Sequence, residues 1–100
     1  KSYVRNCKIF DTKIKNSKFT ECSLRISTYQ NCYIENTSFV NCDLKKIKFE
    51  NCIIKDCNFI DSDLFMSKFT KNSYTNINLN NCNLFLSDLK NEHHKEISIN

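Results

Sequence analysis

Residues 41–64, NCDLKKIKFENCIIKDCNFIDSDL, place a large apolar side chain at every fifth position: Leu44, Phe49, Ile54, Phe59 and Leu64. Two residues before each stands a second inward candidate, in order Cys42, Ile47, Cys52, Cys57 and Ser62. Small inward, outward, large inward describes a short extended segment whose side chains alternate between two faces. The two residues left over in each five must then turn a corner. A helix is excluded by the period, because five residues advance a helix by about 500° and would scatter the apolar positions around its whole surface.

Outward from this stretch the register holds from Val4 to Leu89. The large positions run Ile9, Ile14, Phe19, Leu24, Tyr29, Ile34 and Phe39 before it, and Phe69, Tyr74, Leu79 and Leu84 after it. Of the 18 small sites, from Ser2 to Ser87, fifteen are Cys, Ser or Thr, two are Ile (Ile47 and Ile77), and one is Asn72. A second echo has a period of twenty: Leu24, Leu44, Leu64 and Leu84 share one character, Ile14, Ile34 and Ile54 another, and Phe19, Phe39 and Phe59 a third. Ile9, Tyr29, Phe49, Phe69 and Leu89 make the remaining line. Four five-residue units per coil account for both periods. The sequence therefore predicts an all-β, square solenoid of about 4–5 coils stacked about 4.8 Å apart, each coil stabilised by its neighbours.

The chain has no Gly and no Pro. Glycine-dependent phosphate loops and primed turns are thereby excluded, and the corners fall to residues that tolerate unusual backbone angles, chiefly the 15 Asn. Asn6, Asn16, Asn31, Asn36, Asn41, Asn51, Asn76, Asn81 and Asn91 all fall at corner positions, where a side chain can bond its own turn or the coil above. The Asn36-Thr37-Ser38 sequon is expected by chance in so Asn-rich a chain.

The net charge is +4, but the excess is confined to the start. Lys1, Arg5, Lys8, Lys13, Lys15 and Lys18 face only Asp11 and Glu21 within the first 21 residues, and the remainder is balanced. This reads as a solvated basic end rather than a nucleic-acid site. All seven cysteines, Cys7, Cys22, Cys32, Cys42, Cys52, Cys57 and Cys82, occupy small sites. A disulfide or zinc framework has no reason to keep that phase, so buried, reduced thiols in a cytoplasmic protein are expected. No apolar run approaches the roughly 18 residues of a membrane span. The chain begins at Lys1 without a secretory signal, as a trimmed fragment or mature segment would.

The units CDLKK (42–46), CNFID and SDLFM (57–66) and CNLFL and SDLKN (82–91) resemble the pentapeptide repeat family, whose units read Ala-(Asp/Asn)-Leu-X-X. The resemblance covers about residues 2–91. Ala is wholly replaced by Cys, Ser, Thr or Ile, and the Asp/Asn position is often Lys or Ser, especially before Cys42. The resemblance implies a right-handed quadrilateral β-helix over residues 1–91, with 92–100 as a C-terminal cap or tail. Glu92 and His94 break the pattern, and two outcomes stay open: a short helix over 88–96 with Ser87 as N-cap, or a last strand after a loop, since Ile97 and Ile99 return to phase. His93 and His94 read as a solvated tail.

Asp43 and Asp63 lie one coil apart on one face, but on a convex rod they read as a solvated pair with no pocket to shift their protonation. With every Cys inward and the only histidines in the tail, no catalytic, cofactor or metal site is expected. One outward feature breaks the polar rule. Phe65 and Met66 follow Leu64, Phe85 and Leu86 follow Leu84, the two pairs should stack, and Ile26 shares their face. Such a cluster marks a protein interface, here a homodimer contact through the C-terminal coils, unless the tail at 92–100 covers it. The expected function is a non-enzymatic protein–protein interaction module or scaffold. The family resemblance also implies an alternative, a DNA-mimicking topoisomerase (gyrase) protection factor conferring quinolone resistance. A DNA mimic should be acidic along its length, which this chain is not, and direct DNA binding is weaker still.

Overall fold

The computed structural model describes residues 3–91 and 95–100. Glu92, His93 and His94, assigned above to a tail, lie outside the described residues. Extended segments form where the inward–outward alternation puts them. The first coil holds β1 (Lys8–Phe10), β2 (Lys13–Lys15) and β3 (Lys18–Thr20), and the second β4 (Thr28–Gln30), β5 (Tyr33–Glu35) and β6 (Ser38–Val40). The third holds β7 (Lys48–Glu50) and β8 (Ile53–Ile60), and the fourth β9 (Lys68–Thr70) and β10 (Ser73–Asn80).

Every strand pairing is parallel and joins residues twenty apart, such as Ile14 to Ile34, Ile34 to Ile54 and Ile54 to Tyr74. β1, β4, β7 and β9 make one face, while β8 and β10 run through a corner and join two further faces. The fourth face, centred on the leucines, is held by single parallel bridges linking Tyr3, Ser23, Asp43, Asp63 and Asn83. The result is a short all-β quadrilateral solenoid measuring 31 × 26 × 23 Å.

Inside, side chains stack coil on coil. The rings of Phe19, Phe39 and Phe59 lie 5.0 and 4.9 Å apart, and those of Tyr29, Phe49 and Phe69 lie 5.1 Å apart at each step. The two stacks meet edge-on, with Phe59 6.5 Å from Phe49 and 6.4 Å from Phe69. Burial depends on having a coil on both sides. Leu44, Ile54, Phe59 and Leu64 are fully buried, whereas the terminal positions correct the expectation that every large site is covered: Val4 is exposed, and Ile9, Ile14, Phe19 and Leu84 are only partly buried.

The small sites explain why Ala is missing. The Cys42 thiol donates to the carbonyls of Phe19 at 3.3 Å and Val40 at 3.5 Å, and the Cys52 thiol to those of Tyr29 and Glu50, each at 3.3 Å. The Ser62 hydroxyl likewise donates to Phe39 at 3.2 Å and Ile60 at 2.9 Å. Asn72 does the same with a longer arm, its Nδ2 donating to the Phe49 carbonyl at 3.0 Å while its Oδ1 accepts the Cys52 N–H at 2.8 Å. At most of these sites a small side chain donates to the coil beneath, while Ile47 and Ile77 fill theirs with apolar bulk alone. All seven cysteines are free. Cys7 and Cys82, expected buried, are partly exposed because they sit in terminal coils.

At the C-terminal end both open outcomes are represented. Asp88–Asn91 forms a 3₁₀ turn, shorter than a helix over 88–96, and the Ser87 hydroxyl accepts the Leu89 N–H at 3.2 Å. Asn91 therefore ends this turn instead of occupying a corner. Strand β11 (Ile97–Ile99) then pairs with β10, Ile77 to Ile97 and Leu79 to Ile99.

Candidate interaction surface

The corners decide which side chains the rod presents. From Asn6 to Leu86, every fifth residue takes a left-handed backbone, with φ between 51° and 62°. Asn and Asp tolerate this conformation and fill most of these positions. They also bond to one another along the rod: Asn36 Nδ2 donates to Asn16 Oδ1 at 2.8 Å, Asn51 to Asn31 at 2.7 Å, Asn76 to Asp56 at 3.0 Å and Asn81 to Asp61 at 2.8 Å.

One corner departs. Its residues are Asn6, Ile26, Lys46, Met66 and Leu86. Without side-chain ladders, its turns close through the backbone instead, Ile47 N–H to the Leu44 carbonyl at 3.2 Å, Ser67 to Leu64 at 3.0 Å and Ser87 to Leu84 at 2.9 Å. A left-handed third residue in such a four-residue turn is the type II pattern, which favours Gly or Asn. Ile26, β-branched and at φ 62°, is the most strained choice in the set. These corner residues also face water: Ile26 is 50% exposed, Met66 39%, Leu86 54%, and the adjoining Phe85 60%.

The structure brings Phe65, Met66, Phe85 and Leu86 together on successive turns, and the Phe65 ring stacks on Phe85 at 6.0 Å. Phe65 is the least exposed of the four. Ile26 lies on the same edge but is separated from Met66 by Lys46. Between them is a shallow hollow of ≈ 250 Å³ lined by Arg25, Ile26, Lys45, Lys46 and Phe65. Ile53 was missed in the sequence. It is outward on β8 and exposed, and its only signal was an apolar residue at an outward position.

The Leu-centred face also corrects the reading of Asp43 and Asp63 as a solvated pair. Arg25 contacts the Asp43 carboxylate at 2.9 Å, and the Lys45 ammonium sits between Asp43 at 3.4 Å and Asp63 at 3.1 Å. Burial alone would raise the Asp43 carboxyl, but the Lys45 backbone N–H, the Lys45 ammonium and Arg25 outweigh it and hold the group below the usual carboxylate range. An Asp43 carboxylate held ionised this way serves cohesion between coils rather than proton transfer. Among the described residues no group of His, Cys, Asp and Glu is arranged to hold a metal ion, and no helix is long and apolar enough to cross a membrane.

Residues 12–99 match the family model for the pentapeptide repeat region. The chain belongs to the pentapeptide repeat family. Among solved structures, the pentapeptide repeat protein Rfr23 from the cyanobacterium Cyanothece 51142 is similar in fold, with a TM-score of 0.51 and 15% identity over 98% of this chain and 87% of that one. A trypsin-treated form of QnrB1, a plasmid-mediated fluoroquinolone resistance protein, aligns with a TM-score of 0.46 and 26% identity over 82% of this chain. The pentapeptide repeat chain described here spans 44% of that structure's length. No curated protein matches the sequence.

Proposed function

We propose that this pentapeptide repeat rod is a non-enzymatic protein-interaction module or scaffold that acts in the cytoplasm and associates as a homodimer through its C-terminal coils. The observation that carries the reading is the corner formed by Ile26, Met66 and Leu86 with Phe65 and Phe85 beside it. Asn is the low-cost residue at a left-handed corner, and three other corners use it. Apolar side chains held in solvent on strained backbone are unfavourable in an isolated rod and become favourable when another surface covers them. Strand β11 lies along β10 and leaves Phe85 and Leu86 exposed.

A two-fold axis through the cluster lets the patch meet itself and keeps the basic N-terminal ends apart. Sedimentation of wild type beside a Phe65→Lys, Phe85→Lys variant tests this. A dimer for wild type and a monomer for the variant are expected, and an unchanged mass in either state overturns the contact.

A further inference from the structure

Where like charges stack on this rod, opposite charges elsewhere compensate them: Asp43 and Asp63 are in register on the leucine face, but Arg25 contacts Asp43 and the Lys45 ammonium bridges both acids. Lys15, Glu35 and Lys55 alternate in sign across β2, β5 and β8 at 3.7 and 4.0 Å. On the four-stranded face, however, Lys48 of β7 pairs in register with Lys68 of β9. Adjacent strands lie about 4.8 Å apart, and both lysines are exposed. Neither forms an ion pair among the described residues. Lys46 and Lys71, at the two corners bounding this face, are likewise exposed and unpaired.

The neighbours do not neutralise the group. Thr28 is the partner of Lys48 on the other side. Asp88, one coil beyond Lys68, turns its Oδ1 to accept the Phe69 N–H at 2.8 Å. Glu50 is partly buried in an adjoining groove of ≈ 520 Å³ that it lines with Gln30, Asn31, Asn51, Thr70 and Lys71. Like charges directly opposed across a ladder destabilise a sheet. Four cations with only two acids nearby, Glu50 half-buried and Asp88 turned to the backbone, are a surface that gains from an anionic partner.

We propose that the face carrying Lys46, Lys48, Lys68 and Lys71 binds a short acidic polypeptide segment. The cluster is two coils tall and bounded by Thr28 and Asp88, so it matches a few carboxylates rather than the continuous phosphate backbone of a duplex, which needs a long basic stripe. Lysine ammoniums on flexible stems act as point charges that follow carboxylates on alternate residues of an extended segment, about 6.8 Å apart. Lys46 stands on the apolar corner itself, between Ile26 and Met66, so the surface adjoins that corner, while Lys48, Lys68 and Lys71 lie beyond it.

The test is anisotropy of a fluorescent octaglutamate peptide, with a short DNA duplex in parallel, at about 25 and about 250 mM salt. The proteins are wild type, a Lys48→Gln, Lys68→Gln double variant, and a Lys15→Gln control that removes a paired lysine. Wild type and the control are expected to bind the peptide at low salt, and the double variant at least about tenfold more weakly. The double variant is also expected to melt at a higher temperature than wild type, because the opposed charges are gone. No peptide binding, equal weakening in the control, tighter binding of the duplex, or a melting temperature that fails to rise would each overturn the proposal.

Discussion

A thiol at the small site packs as a small buried group and donates to a carbonyl of the coil beneath, which ties its chemistry to the fold. Burial pushes the Cys52 thiol up to about 11, and Cys42, Cys57 and Cys82 are raised for the same reason. A raised value in the folded state means that the protonated form is favoured there. The stabilisation is complete below the ordinary thiol range, about 8.5, and is lost as pH rises toward the folded value. Denaturant unfolding at successive pH values should show stability falling through that window, and alkylation should be much slower in native than in unfolded protein. A count under denaturing, non-reducing conditions should give seven free thiols, the number in the sequence; fewer would contradict reduced cysteines. Ile26 provides the opposite case, a residue poorly suited to its backbone. Ile26→Asn should stabilise the rod by about 1 kcal/mol by relieving left-handed strain, measured by urea unfolding. The demand for left-handed corners was legible wherever Asn stood. At Ile26 it was hidden, since a β-branched side chain signals strand.

At the scale of the coil, stability comes from stacking on both sides, so the same residue type has different weight inside and at an end. Phe59 lies between Phe39 on its own stack and the edge-on rings of Phe49 and Phe69. Phe59→Ala should cost about 3 to 5 kcal/mol. Lys55→Ala, on the same strand but outward and paired with Glu35 only at 4.0 Å, should cost less than about 1 kcal/mol. Equal losses in a denaturant titration would refute the five-residue register. The coil itself was legible because both periods, five and twenty, are set by residues that touch across the core. The ends were less so: Ile9 and Phe19 obey the period, but burial depends on a neighbouring coil that no local pattern reports. The ion stack of Arg25, Asp43, Lys45 and Asp63 was less legible, because Arg25 and Lys45 reach acids 18 residues on, off the twenty-residue register.

For the molecule as a whole, the apolar corner was legible from Phe65, Met66, Phe85 and Leu86, since adjacent large apolar residues in two equivalent units violate the outward-polar rule. The lysine face was not, because Lys48 and Lys68 stand apart in sequence and become neighbours only through the coil. Both surfaces bear on what the rod binds. A DNA-mimicking gyrase protector needs acidic charge along its exposed faces, yet here the exposed acids Asp11, Glu21, Asp61 and Asp88 are scattered among exposed lysines, and Asp43, Asp63 and Glu35 are occupied by Arg25, Lys45, Lys15 and Lys55. A DNA binder needs a continuous basic stripe, and the alternating stacks interrupt it. In a gyrase supercoiling assay with and without quinolone, the rod is therefore expected to leave inhibition unchanged. In a parallel duplex titration it is expected to bind weakly at low salt. Restored supercoiling would establish the protector in place of the interaction module, and tight binding that collapses with salt would establish a nucleic-acid partner in place of both.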